Sequence, residues 1–176
     1  MELRTERLVV RPWRADDAED AVRVYGDEDV ARWLSPAMQQ VEDLPQMREL
    51  LAEWDRQAEE LVPPAGRWAV ERTSDGRVVG GIALMVIPPW EQDLEFAWQL
   101  APDARGQGYA VEAAHALARW AFGHPGTDEV FAVMHTTNRG GIAMARRLGM
   151  EWVGETEKYY DRTLQVYRLR SADLGA

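Results

Sequence analysis

Apolar residues change their period several times along the chain, and each change marks an element boundary. Leu8 to Trp13 is an apolar-rich run that predicts a first strand, stopped by a turn or cap at Ala15-Asp16-Asp17. Asp17 to Tyr25 is a short helix. Between Leu44 and Leu61, the residues Leu44, Met47, Leu50, Leu51, Trp54, Ala58 and Leu61 recur at the spacing of one helix face, and Pro63-Pro64 ends that run. Arg67 to Arg72 and Arg77 to Ile87 flank Ser74-Asp75-Gly76, which predicts a hairpin, with Pro88-Pro89 closing its second strand. From Asp93 to Leu100 the period drops to two: Leu94, Phe96, Trp98 and Leu100 alternate with Glu95, Ala97 and Gln99, a half-buried strand. Val111, Ala114, Leu117, Ala118, Ala121 and Phe122 restore the helical period until Gly123-His124-Pro125-Gly126 breaks it. Val130 to His135 reads as a strand and Asn138 to Leu148 as a helix with Gly149 at its end. Glu151 to Glu157 and Thr163 to Leu169 complete an antiparallel pair. The predicted order, β α α β β β α β α β β, describes one mixed α/β domain over residues 1–176 without repeats or long linkers.

Composition narrows the class. The chain has 176 residues, of which 46% are hydrophobic, enough to bury one core. No apolar run reaches the length of a membrane span, and MELRTERLVVRPWR lacks the apolar stretch of a signal peptide, so the expected location is cytoplasmic. The absence of cysteine excludes disulfides, thiolate metal ligands and a cysteine nucleophile. His115, His124 and His135 are too scattered to suggest a metal site. A formal charge of −10 argues against nucleic acid as a partner and suits a cationic one, such as an amine. Much of the acid lies at Asp16, Asp17, Glu19, Asp20 and between Glu42 and Glu60, where a solvated helix face is the expected role.

The stretch ARGQGYAV, residues 104–111, places two glycines immediately before a strong helical pattern although glycine weakens a helix. A strand entering such a turn and then a helix leaves backbone N–H groups unpaired at the positive end of the helix dipole, a ready phosphate site. Arg105 adds positive charge at the mouth, Gly106 and Gly108 remove side chains that would hold a pyrophosphate away, and Tyr109 and Ala110 begin the helix. A P-loop would need a Gly-Lys pair, which the chain lacks, and a dinucleotide fingerprint would need glycine where Val111 stands. The pattern [R/Q]-x-x-G-x-[G/A] is satisfied by Arg105, Gly108 and Ala110.

In that setting the sequence resembles the GNAT superfamily of acyl-CoA-dependent N-acyltransferases, and most of all its branch of bacterial ribosomal-protein N-terminal acetyltransferases. The carrying blocks are TERLVVRPWRADDAED, DLEFAWQLAPDARGQGYAVEA, TTNRGGIAMARRLGMEWVGE and LQVYRL, which together span nearly the whole chain in order. The resemblance implies a mixed, mostly antiparallel sheet flanked by helices, with a splay between the strand ending at Leu100 and that of Val130 to His135. It implies acetyl-CoA as co-substrate and no metal. The pyrophosphate would rest on the amides of Gly106, Gln107, Gly108, Tyr109 and Ala110. The pantetheine arm would pair with the backbone of Trp98, Gln99 and Leu100. Asn138 matches the family asparagine that contacts the cofactor arm, while its alternative role is an N-cap for the following helix. Arg146 and Arg147 are candidates for the adenosine 3′-phosphate, or a solvated helix end. Dimers are frequent among the proteins it resembles.

Acyl transfer to an amine is helped by a base, since a lysine amine is mostly protonated at neutral pH and an α-amine partly so. Glu95 stands mid-strand where resembling enzymes often carry an acid, with Asp93 two residues earlier as second candidate. Their alternative is a cross-strand ion pair. Family members often place tyrosine seven residues after the asparagine, and the ribosomal-protein branch places serine three after it. Here these positions are Ala145 and Gly141, which leaves catalysis by positioning and amide donors open. Tyr159, Tyr160 and His135 are expected to pack or hydrogen-bond. Trp33 and Trp90 are expected in the core or at its rim, with an acceptor pocket as the alternative. The expected activity is N-acetylation of a protein N-terminus or small amine, polyamines and aminoglycosides included, by direct attack in a ternary complex. The competing readings are a non-catalytic acyl-CoA-binding module, a transferase of another acyl group such as succinyl, and a nucleotide site at the glycine turn.

Overall fold

The computed structural model describes residues 1–34, 37–87, 93–159 and 161–174, and these form eight strands and five α-helices with three short 3₁₀ turns. The strands are β1 (Leu3–Arg4), β2 (Leu8–Pro12), β3 (Gly66–Arg72), β4 (Val78–Val86), β5 (Leu94–Leu100), β6 (Glu129–Met134), β7 (Glu151–Thr156) and β8 (Leu164–Arg170). The helices are α1 (Ala18–Tyr25), α2 (Glu28–Leu34), α3 (Leu44–Ala58), α4 (Tyr109–Ala121) and α5 (Arg139–Leu148). All strands form one open sheet in the order β1-β2-β3-β4-β5-β6-β8-β7. Every neighbouring pair is antiparallel except β5 and β6, which run parallel. The expected closure at Pro88-Pro89 and the residues Trp90 and Tyr160 lie outside the described residues. No helix of the described residues is long and apolar enough to cross a membrane, and no group of three or more His, Asp or Glu there is arranged to hold a metal.

The helices owe their faces to small residues. α4 turns Ala113, Ala114, Leu117, Ala118 and Ala121 inward, each with no exposed surface, so its backbone lies close to the sheet. α1 buries Ala18, Ala21 and Val24 in the same way. α3 starts where Asp43 accepts a hydrogen bond from Gln46 N at 2.9 Å, with Pro45 in the first turn, a well-capped start. It stops at Ala58, short of the expected Leu61, because Glu59 and Glu60 already form a turn.

Two elements exceed the sequence expectation. β1 is a two-residue strand, too short to carry a period. α2 covers only EDVARWL, seven residues, capped by Asp27 through the amide of Val30 at 3.1 Å. One stretch of the expected solvated acid is a core feature. Asp17 is 8% exposed and receives both Nη1 and Nη2 of Arg11 at 2.8 Å, while Arg11 Nε reaches Glu71 at 2.6 Å. Asp20 likewise binds Arg77 at 2.7 Å and the amide of Val78 at 2.9 Å, tying α1 to β4. Both corrections have one cause: the side of α1 that carries these acids faces strand arginines rather than water.

Gly80 lets β4 lie close against β5, and Gly81 lets it pass under Tyr25 of α1. A Cβ on Gly80 would lie 2.3 Å from the backbone oxygen of Gln99, and one on Gly81 would lie 2.0 Å from the Tyr25 hydroxyl. Backbone oxygen cannot swing aside. Gly80→Ala is therefore expected to cost about 1–3 kcal/mol of stability, read as the shift of a denaturant midpoint. An unchanged midpoint would show that the β4–β5 ladder yields freely.

Candidate active site

β4 and β5 are zipped through seven register pairs, from Gly80↔Leu100 to Val86↔Leu94. β5 and β6 share only one, Glu95↔Phe131. Beyond that pair the strands lose register, so the β6-facing edge of β5 runs on without ladder partners toward Leu100. The expected splay is there. A cavity of about 890 Å³ fills it, lined by Trp98, Gln99 and Leu100 on one side and Ala132, Val133 and Met134 on the other. Its far end reaches Gly106, Gly108 and Ala110.

A 3₁₀ turn, Pro102–Ala104, carries the chain from β5 into the glycine turn. Gly106 has φ +76° and Gly108 φ +81°, left-handed backbone that a side chain disfavours. Gly108 is the N-cap of α4, and no side chain caps that helix, so its first amides are open to a ligand. A Cβ at Gly106 would meet nothing within 4 Å; the turn keeps glycine for its backbone angle and for the open space above it. Gln107 is turned away: its Nε2 binds Asp103 O at 2.9 Å.

Arg7 holds this turn from below. Its Nη1 donates to Gln107 O at 3.0 Å, its Nε to Glu112 at 2.7 Å, and its guanidinium lies 4.8 Å from the centre of the Tyr109 ring. Glu112 also receives Thr5 Oγ1 at 2.5 Å and the Arg7 amide at 2.9 Å. Burial pushes the Glu112 carboxyl up, but the hydrogen bonds from Thr5 and Arg7 outweigh it and hold it below its ordinary range. Arg105 lines the cavity yet shares its charge: it pairs with Asp27, the cap of α2, and its Nε donates to Leu100 O at 3.3 Å. It therefore presents less charge than a free guanidinium and ties α2 to the glycine turn.

Asn138 serves as the N-cap of α5, accepting Gly141 N at 2.9 Å, and it also lines the cavity. A Cβ at Gly141 would come within 2.8 Å of the Asn138 amide nitrogen, so the glycine makes room for the cap where relatives of the resembling branch carry serine. Ala145 is fully buried, facing the core, while Met144 and Arg147 of the same helix line the cavity. A side chain at 145 is thus directed away from the slot.

Glu95 lines this cavity and also a second one of about 450 Å³, together with Trp33, Leu34, Ala97, Val133, Met134 and Thr137. The second chamber is completed by Arg32, Ala37, His135, Arg162 and Leu164. Asp93 precedes β5 and lines neither chamber. Its carboxylate receives Tyr159 Oη at 2.5 Å and Lys158 Nζ at 2.6 Å. Burial pushes the Asp93 carboxyl up, but those two hydrogen bonds prevail and keep it below the usual range. Tyr159 is buried with Ile87 and Leu164, as packing predicts. His115 and His124 bond backbone carbonyls of Leu148 and Trp120, at 3.2 and 3.0 Å. Trp33 stands at the rim of both chambers, stacked on His135 at 6.4 Å.

Sequence patterns missed Arg7, Thr5, Asp27, Arg32, Arg139 and Arg162. Only Asp27 left a local signal: an Asp followed by Glu28, Asp29 and the apolar Val30, the signature of a capped helix start. Arg7 and Thr5 bind groups 100 or more residues away, and Arg32 of α2, Arg139 of α5 and Arg162 before β8 are brought to the cavities by the fold.

Residues 7–151 match the domain family described as Acetyltransferase (GNAT) domain. An uncharacterized N-acetyltransferase of Bacillus subtilis (strain 168), YoaA, is 22% identical over 158 residues, covering 89% of this chain and 86% of its own. A GNAT-family acetyltransferase from Bacillus anthracis shares the fold at TM-score 0.77 and 21% identity, covering 97% of this chain and 98% of that one. A ribosomal L7/L12 alpha-N-protein acetyltransferase, solved in complex with coenzyme A, superposes at TM-score 0.78 and 13% identity over 97% of this chain and 98% of its own. With the splayed strands, the open glycine turn and a family match over most of its length, this chain belongs to the GNAT acetyltransferases, enzymes that take the acetyl group of acetyl-CoA.

Proposed function

We propose that the protein acetylates a primary amine by direct attack on acetyl-CoA in a ternary complex, with Glu95 drawing the proton. The observation that supports this most is the position of Glu95: it stands at the last β5–β6 pair, at the junction of the two chambers. The larger chamber suits the donor. Its pyrophosphate would lie on the amides of Gly106, Gln107, Gly108, Tyr109 and Ala110. Arg105 would stand at that mouth, and Arg139 and Arg147 line the same chamber from α5. The pantetheine arm would complete the unpaired edge of β5 at Trp98, Gln99 and Leu100, beside Asn138 and Gly141. The smaller chamber is left for the acceptor.

In the reaction the amine nitrogen bonds to the thioester carbonyl carbon and the C–S bond breaks. The amine proton passes to Glu95, directly or through a water, and the CoA sulfur leaves as thiolate. A thiol of ordinary pKa near 8.5 departs without strong acid help, which fits a core-facing Ala145. Holding amine and thioester in adjoining chambers supplies the proximity. Asp93 is the weaker candidate for the base because it lines neither chamber and its carboxylate ties Lys158 and Tyr159 together at the start of β5.

The test is release of CoA thiol from acetyl-, propionyl- and succinyl-CoA with small amines and peptides. Amine-dependent release from acetyl-CoA is expected. Tight acetyl-CoA binding with no release across the panel would instead identify a non-catalytic acyl-CoA-binding module. Arg7→Met removes the support under the turn and is expected to raise KM for acetyl-CoA roughly tenfold at near-constant kcat. A fall confined to kcat would place Arg7 elsewhere in the reaction.

A further inference from the structure

The walls of the smaller chamber carry a charge pattern unlike that of the whole molecule. A chain of net charge −10 places two arginines, Arg32 and Arg162, around a space whose one carboxylate among the described residues is Glu95. Arg162 forms no ion pair with the described residues; only its backbone is engaged, by Tyr159 O at 3.3 Å. Arg32 meets Asp29 at 3.7 Å with both side chains more than half exposed, a contact too long and too solvated to neutralise it. Arg32 comes from α2 and Arg162 from the segment before β8, and the fold brings both to this chamber. The rest of the lining is mostly apolar, with Trp33, Leu34, Val133, Met134 and Leu164, and His135 and Thr137 are its uncharged polar groups.

We propose that the acceptor is a small amino carboxylate with an apolar body, its amine at Glu95 and its carboxylate on Arg32 and Arg162. This rests on the reading of the smaller chamber as the acceptor side. The chemistry is complementary at each end: a guanidinium fork binds a carboxylate with charge-assisted hydrogen bonds, and the opposite wall offers a carboxylate to the amine. At about 450 Å³ the chamber falls in the range of small-molecule sites. A polyamine or aminoglycoside would bring its extra positive charges against both arginines, at a cost like that of any like-charge juxtaposition. The overall negative charge, which by itself suggests a cationic acceptor, acts at longer range and is screened by physiological salt.

The experiment compares matched pairs, phenylalanine with phenethylamine and leucine with isoamylamine. Spermidine, an Ala-Ala-Ala amide and an Ala-Asp-Ala amide serve as further arms. Each is measured twice: as acceptor in CoA-thiol release, and by calorimetric binding to the protein saturated with CoA. The amino acids are expected to bind and react at least tenfold better than their decarboxylated partners. Arg162→Gln and Arg32→Gln are expected to raise KM for the amino acids roughly 10- to 100-fold, leave KM for the amines nearly unchanged, and spare kcat. Both arginines are exposed, so these variants should fold. Binding of the amino acids with no thiol release would uphold the site while sinking the transfer reading. Equal or better use of the uncharged amines or spermidine would overturn the carboxylate assignment and leave the transferase standing. Preference for the Ala-Asp-Ala amide over both amino acids would move the occupant to an acidic peptide N-terminus and also overturn the small-molecule assignment. Binding of none of these compounds would overturn it outright.

Discussion

Glu95→Gln is expected to lower kcat for amine acetylation by roughly 10²- to 10⁴-fold near neutral pH, with the Kd for acetyl-CoA little changed. The substitution keeps size and hydrogen-bonding capacity but removes the ability to hold a proton. Its effect should shrink as pH rises. A free α-amine has its ordinary pKa near 7.7–8.0, so at pH 9 most of it is already a neutral nucleophile, and the proton lost on amide formation can pass to water or hydroxide. A pH profile that converges between wild type and variant therefore separates proton removal from mere positioning, which would leave a constant gap. The register of the sheet explains why Glu95 and not its neighbours is assigned this role. It sits at the only β5–β6 pair, so its backbone is held by strands on both sides while the slot begins directly after it. Full turnover in the variant at neutral pH would remove Glu95 from the mechanism.

Asp17→Ala is expected to be the most damaging single change to stability, about 3–5 kcal/mol, against a total of about 5–15 kcal/mol for proteins of this kind. Arg11 is 3% exposed and its guanidinium is satisfied by Asp17 and Glu71 together. Removing Asp17 leaves a buried cation with one carboxylate instead of two, beside the Pro12 carbonyl, and frees the Arg14 amide that Asp17 accepts at 2.7 Å. The asymmetry is testable. The double variant Arg11→Met, Asp17→Leu removes the two most buried charges and should be less harmful than Asp17→Ala alone, since the carboxylate it leaves without an ion pair, Glu71, is partly open to water while Arg11 is not. Urea unfolding of the three proteins decides it. A double variant worse than the single would show that the cluster contributes more than the cost of an orphaned charge.

Much of the site was legible locally. The alternation from Leu94 to Leu100 placed Glu95 on a strand, and the paired glycines placed a helix start at Tyr109, because both signals depend on residues adjacent in sequence. Asn138 was legible as a cap, since a cap acts within three residues, and its place on the cavity wall is compatible with the cofactor contact that the family resemblance implies. Arg7 was not, because its work on Gln107 and Glu112 spans 100 residues or more. Asp17 was misjudged for a related reason. An acidic run at a helix start reads as solvated unless an arginine from another strand is known to lie beneath it.

The sequence by itself therefore determined the order of elements apart from β1 and α2, the glycine turn before α4, and the family to which these blocks point. The first two rest on local preference, period and capping, and the third on blocks that stand in order along the chain. Tertiary structure alone decided where β5 and β6 part, directly after the pair Glu95↔Phe131, that Asp93 is spent on Lys158 and Tyr159, and that two arginines line a chamber in an acidic protein. Those outcomes depend on which distant side chains share a small volume, and charge acts by distance in space, where composition averages it away.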